Sequence, residues 1–144
     1  MLAEDHRILR QGIRMLLDAE KDLEVIGEAA SGEEAVRLVK TQRPDVLVTD
    51  IVMDGMSGIE VAEAVGKHSP GTRVVVLSVY SSDAYVSAAL ENGALAYVVK
   101  GCGADKLVHA IREAMSGRRY LSPPLEEKRI LAYRERKKEA ALDS

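Results

Sequence analysis

Three observations predict an α/β fold built on a parallel sheet. Short apolar segments alternate with helical patterns from one end of the chain to the other. The runs Val46-Leu-Val48 and Val74-Val-Val-Leu77 are apolar on both faces, as befits central strands covered by helices on each side. Four apolar segments also stop at polar residues of chemically useful type: Glu4-Asp5, Asp50, Ser78 and Lys100. In an open α/β sheet the carboxyl ends of the strands share one edge, where ligands bind. Carboxylates, a hydroxyl and an ammonium converging there suit a divalent cation and a phosphoryl group.

Only Leu2 and Ala3 precede the acidic pair, so the first strand is expected to be clipped or to begin in mid-strand. Ile8, Leu9, Ile13, Leu16 and Leu17 recur at helical spacing. Leu23 to Glu28 then reads as a short strand. Ser31 followed by Glu34 is a capping-box signature, and Ala35, Leu38 and Val39 form that helix's inner face. Pro44 breaks the chain before the strand that carries Asp50. Gly55 and Gly58 mark a loop, and Ile59, Val61, Ala62 and Val65 continue as a helix ending before Ser69.

The pattern repeats with a strand over 73–78, a helix near 83–92 stopped at Asn92-Gly93, and a strand over 95–99. A last regular helix near 103–116 turns Leu107, Val108, Ile111 and Met115 inward and stops at Gly117. Alternating strands and helices mean a doubly wound parallel sheet with right-handed crossovers. The expected division is one domain over 1–121 and a tail over 122–144. Past Pro123-Pro124 the tail carries six Lys/Arg and four Glu between 126 and 139, which reads as a solvated linker helix.

The gross numbers narrow the function classes. At 144 residues the chain suits one domain, and with neither Trp nor Phe its core must come from aliphatic side chains and Met. A net charge of −3 leaves no electrostatic footprint for nucleic acid. The single cysteine, Cys102, excludes an internal disulfide and any multi-cysteine metal site. No apolar run is long enough to span a bilayer and no signal-peptide pattern is present, so the expected location is the cytoplasm.

The phrases Leu-Ala-Glu-Asp-His, Arg-Pro-Asp-Val-Leu-Val-Thr-Asp and Gly-Ala-Leu-Ala-Tyr-Val-Val-Lys resemble the receiver domains of bacterial two-component response regulators, closest to the NarL/FixJ type with LuxR-type output. Ser116 to Pro123 resembles the end of receivers in that group, and the likeness covers about residues 2–123. It implies a flavodoxin-like sheet of five parallel strands flanked by five helices. It also implies that Asp50 accepts a phosphoryl group, with Ser78 contacting that group and Lys100 pairing with it. Asp5 and Asp50 would ligate Mg²⁺ directly, Glu4 through water and Val52 through its backbone carbonyl. Tyr97 matches the aromatic that turns inward on activation. The implied partners are a sensor histidine kinase and a second copy on activation, with DNA reached only through an output domain and no membrane. The group normally continues into a helix-turn-helix domain and usually has proline where this chain has Asp54. A cut-down chain or a stand-alone receiver with a helical tail is therefore expected.

The chemistry stands without the family. An aspartate attacking phosphorus is covalent catalysis by a carboxylate. Bringing a phosphoryl group among carboxylates requires a hard cation, and Mg²⁺ suits carboxylate, carbonyl and water oxygens. Lys100 adds a compact positive charge. A hydroxyl that bonds only the phosphorylated form couples chemistry to conformation. The expected behaviour is self-phosphorylation and autodephosphorylation rather than enzymatic turnover. Three rivals stand against it. An aspartate-nucleophile phosphatase needs a second aspartate where this chain has Val52. A flavin domain needs a hydroxyl- and glycine-rich loop where it has Glu4-Asp5-His6-Arg7. A degenerate receiver would bind partners without phosphorylation. His6, His68 and His109 lack metal-ligand spacing and read as surface or structural.

Overall fold

The computed structural model describes residues 1–142. Its elements run β1 (Leu2–Ala3), α1 (Arg7–Asp18), β2 (Glu28–Ala29), α2 (Gly32–Gln42), β3 (Val46–Thr49), α3 (Gly58–His68), β4 (Arg73–Ser78), α4 (Asp83–Glu91), β5 (Ala94–Val99), α5 (Ala104–Met115), β6 (Tyr120–Leu121) and α6 (Glu127–Leu142). All strand pairings are parallel, in the order β2-β1-β3-β4-β5-β6. Five strands carry the fold, and β6 adds a sixth, two-residue rung at the edge. That rung takes shape because Ser122 Oγ accepts the Val99 N–H at 2.8 Å and Ser122 N–H bonds the Tyr97 carbonyl.

Two apolar layers cover the sheet. On one side Ala35, Val39, Val61, Val65, Val86 and Leu90 of α2, α3 and α4 pack with Leu47 and Val76. On the other, Ile13 and Leu17 of α1 meet Leu107, Val108 and Ile111 of α5 over Val48, Val75 and Val98. Central strands buried on both faces explain the unbroken Val/Leu runs.

Several details differ from the sequence reading. Met115, expected to face inward, is 43% exposed at the last turn of α5, and Ile8 lies in solvent at the first turn of α1, each beyond the reach of the sheet. The strand expected over 23–28 pairs only at Glu28–Ala29, because its neighbour β1 offers just Leu2 and Ala3 for the ladder. Leu23 and Val25 instead rest against the α1/α5 layer. The tail is helical, but it is not simply solvated. Ile130 is 2% exposed and belongs to the core, while Arg129 pairs with Asp83 at 3.1 Å and Arg134 with Glu91 at 3.6 Å, both on α4. One apolar knob and two matched cations dock α6; Ile130 and Arg134 belong to the partial face that Ile130, Leu131, Tyr133 and Arg134 suggest in the sequence, while Leu131 stays exposed.

Helix starts follow local chemistry. Ser31 Oγ accepts the Glu34 N–H, as expected, but the complete reciprocal capping box forms at Ser57 and Glu60 of α3. On α2, Glu33 turns instead to the β3–α3 loop, accepting the Met56 N–H at 2.7 Å. Gly58 closes that loop. A Cβ there would lie 1.9 Å from the Asp50 carbonyl oxygen, so only glycine lets the helix start against the end of β3.

Candidate phosphoryl-acceptor site

The chain leaves β1 for the β2 edge, then returns to the other side of β1 as β3. This reversal of direction opens a crevice at the carboxyl ends of β1 and β3, the place where open α/β sheets bind ligands. Glu4 and Asp5 follow β1 directly and Asp50 follows β3, so the switch point itself is lined by carboxylates. Lys100 and Ser78 arrive from β5 and β4, tied to each other by Lys100 N–H bonding the Ser78 carbonyl at 2.8 Å.

Asp50 is buried and doubly held. Lys100 Nζ donates to Asp50 Oδ2 at 2.7 Å, and the Ile51 N–H donates to Oδ1 at 2.6 Å. The same ammonium reaches Glu4 Oε2 at 3.3 Å. For Lys100 the largest single influence is burial, which lowers its pKa. The hydrogen bonds and charges of Asp50 and Glu4 together outweigh burial, so the pKa ends above the ordinary lysine value. Glu4 is only 1% exposed, its Oε1 accepting the His6 N–H at 3.2 Å while Arg10 Nη1 donates to its backbone carbonyl at 2.7 Å.

Asp5 supplies the observation that bears on a metal. Its Oδ1 is buried and receives no hydrogen bond, although His6 Nδ1 lies 3.2 Å away as a partner should the imidazole be charged. A buried carboxylate oxygen without a donor is costly unless something positive meets it. Donor atoms of Glu4, Asp5 and His6 all lie within 4.8 Å of one another. An oxygen-rich set of this kind fits a hard divalent cation.

Ser78 and Tyr97 form a second tier. Ser78, fully buried, accepts the Tyr80 N–H at 3.1 Å, and Tyr97 donates its hydroxyl to the Tyr80 carbonyl at 2.5 Å. Tyr97 is itself wholly buried, and that burial pushes its pKa up to about 12.

Comparison with known proteins matches this geometry. Residues 1–112 fit the family described as response regulator receiver domain. The chain belongs to that family. Among curated proteins it is 36% identical over 132 residues to response regulator GacA of Pseudomonas aeruginosa, covering 91% of this chain and 61% of that one. It is 39% identical over 128 residues to the transcriptional regulatory protein LiaR of Bacillus subtilis, covering 89% and 59% respectively. The chain thus spans about three fifths of the length of these relatives. Among solved structures, a LuxR-family two-component response regulator from Aurantimonas superposes with a TM-score of 0.86 at 34% identity, covering 93% of this chain and 95% of that one. The receiver domain of NarL from Mycobacterium tuberculosis gives 0.78 at 34% identity, covering 81% and 94%. The chain is a receiver domain of the NarL/FixJ type, and its fold is the flavodoxin-like one expected.

In this receiver Glu4, Asp50 and Lys100 are brought into direct contact, with Asp5 beside Glu4. Ser78 and Tyr97 are joined to one another through Tyr80. Val52 and Asp54 sit in the β3–α3 loop with exposed side chains. His6 lies at the surface with a largely exposed side chain, as the sequence reading expects, and its Nδ1 lies against both acidic neighbours.

Proposed function

We propose that this receiver is a phosphorylation-operated switch whose acceptor is Asp50. The observation that carries the reading is the Asp50 carboxylate itself, gripped by Lys100 and the Ile51 N–H at the sheet's switch point, beside a buried Asp5 oxygen that receives no hydrogen bond. An Asp50 oxygen attacks the phosphorus of a phosphohistidine on a sensor kinase. The P–N bond breaks as the P–O bond forms, and the imidazole leaves with the electron pair. Mg²⁺, held by Asp5 and Asp50, by the Val52 carbonyl and by Glu4 through water, would neutralise charge on the transferring group. Lys100 moves its ion pair from the free carboxylate to the phosphoryl oxygens. Attack of water on the acyl phosphate restores Asp50 and releases inorganic phosphate, so the domain turns itself off and is not an enzyme of ordinary turnover.

The readout runs through Ser78 and Tyr97. Ser78 reorients its hydroxyl toward the phosphoryl group, and the segment at Val79-Tyr80 follows because Ser78 and Tyr97 both hold Tyr80. Tyr97 already lies inward, so the switch acts on the segment above it. The face over residues 80–112 then changes its preference for partners. Residues 1–121 are read as the receiver and 122–144 as the link to a DNA-binding output domain, in keeping with relatives that carry more chain. Its setting is the cytoplasm, where sensor kinases present their phosphohistidine. Among the described residues no helix is long and apolar enough to cross a membrane. Nothing in the site favours a degenerate receiver.

The test is intact mass after incubation with acetyl phosphate and Mg²⁺. One added phosphoryl group, absent in Asp50→Asn and without Mg²⁺, is the expected result. No addition to the folded protein would overturn the reading.

A further inference from the structure

His6 stands at the N-cap of α1, where a short side-chain oxygen usually bonds the helix's free N–H groups. Its ring makes no capping bond. The ring lies instead against the acidic pair, with Nδ1 3.1 Å from Glu4 Oε1 and 3.2 Å from Asp5 Oδ1. That Asp5 oxygen is buried and receives no hydrogen bond. The imidazole nitrogen and the Asp5 oxygen are therefore close without being joined as donor and acceptor.

The spacing suits a shared ion. Donors on neighbouring corners of an octahedron with bonds of about 2.1 Å stand about 3.0 Å apart. One donor atom each of Glu4, Asp5 and His6 lies within 4.8 Å of the other two. Charge favours a cation as well. Glu4, Asp5 and Asp50 bring three carboxylates to the crevice, and the Lys100 ammonium meets two of them. A neutral imidazole with its hydrogen on Nε2 leaves the Nδ1 lone pair free to ligate.

We propose that His6 selects the cation: Nδ1 joins Asp5 on the ion and raises the site's preference for a first-row transition metal over Mg²⁺. The proposal rests on the metal reading of this site and deepens it. Mg²⁺ keeps to carboxylate, carbonyl and water oxygens, so it gains little from an imidazole. Nitrogen of this type suits ions such as Fe²⁺, Ni²⁺ and Zn²⁺. A histidine that only donated from Nδ1 to Glu4 Oε1 would instead hold the carboxylates for every ion alike.

Co²⁺ is the probe. Calorimetric titration of the full chain with Co²⁺ and with Mg²⁺ gives both affinities in wild type, His6→Ala and His109→Ala. His6→Ala should weaken Co²⁺ binding at least about tenfold and move Mg²⁺ binding by less than about twofold. Its thermal midpoint without metal should stay at the wild-type value, because the ring caps nothing. His109, beside Glu113 on α5, controls for Co²⁺ bound at another surface histidine, and His109→Ala should keep the wild-type Co²⁺ affinity. Proton NMR of the Co²⁺-bound chain should show histidine ring protons shifted far outside the ordinary range and lost in His6→Ala. Equal losses of the two ions, Co²⁺ affinity untouched by His6→Ala, or shifted ring protons that survive it would each overturn the proposal. Intact mass after acetyl phosphate and Mg²⁺ reports the acceptor separately. Phosphoryl uptake alongside Co²⁺ binding that ignores His6 overturns this proposal and leaves Asp50 standing; His6-dependent Co²⁺ binding without uptake does the reverse.

Discussion

Tyr97 donates its hydroxyl to the carbonyl of Tyr80 at 2.5 Å, and the N–H of the same residue bonds Ser78 Oγ. One backbone unit therefore stands between the Ser78 hydroxyl and the buried phenol. Tyr97→Phe keeps the ring in the core but removes the donor, with an expected loss of about 1 kcal/mol. Urea unfolding checks the size. The pH dependence checks the cause. A phenol raised from 10 to about 12 in the folded state keeps its proton after the unfolded chain has lost it. Its contribution is thus complete below pH 10 and is lost as pH rises through 12. The gap in stability between wild type and Tyr97→Phe should shrink across that window.

Asp5→Asn should separate metal binding from folding. The Oδ1 of Asp5 is buried with no hydrogen bond, so in the absence of metal the carboxylate contributes little to the folded state. The variant should melt at or above the wild-type temperature without Mg²⁺. Addition of Mg²⁺ should raise the wild-type midpoint and leave the variant almost unmoved, with affinity down at least about tenfold. Thermal melts over a Mg²⁺ titration decide it, and equal responses would remove Asp5 from the metal site.

Much of this arrangement was legible because the chemistry sits where strands end. Asp50, Ser78 and Lys100 each close an apolar run, and parallel strands place such ends on one edge regardless of loop detail. Glu4 and Asp5 follow the same logic from β1. What sequence concealed was contact without period. Ile130 is one buried residue in a charged helix, packed into the apolar core layer while Arg129 and Arg134 pair with Asp83 and Glu91 of α4. Ser122 likewise carries no mark in the sequence of its Oγ accepting the Val99 N–H. The Tyr80 bridge joins side chains through main-chain atoms, to which a reading of residue types is blind.

Lys100→Met should expose the repulsion that the ammonium now hides. Glu4 and Asp50 share that single cation at 3.3 and 2.7 Å. Removing it leaves two buried carboxylates facing each other, an expected loss of about 1–3 kcal/mol. Mg²⁺ should restore more stability to this variant than to wild type, because the metal then provides the only positive charge between the acids. Uptake of phosphoryl from acetyl phosphate should fall steeply in the same sample. Wild-type uptake with unchanged stability would show that Lys100 has no part in the site.

Gly58→Ala tests how closely the acceptor depends on a residue eight positions away. The methyl group would lie 1.9 Å from the Asp50 carbonyl oxygen and 2.9 Å from the Ile51 Cα, contacts with backbone that no rotamer relieves. The start of α3 must then move off the end of β3. That shift breaks the bond from Gly58 N–H to the Ile51 carbonyl at 2.8 Å and tilts the Ile51 N–H that now holds Asp50 Oδ1. Overpacking of this kind costs about 1–3 kcal/mol. Because the strain falls on the acceptor's own peptide, phosphoryl uptake should drop further than in a variant of equal instability remote from the site, such as Ile111→Val. Urea unfolding matched with intact mass separates the two effects, and equal uptake in the paired variants would show that Gly58 serves folding alone.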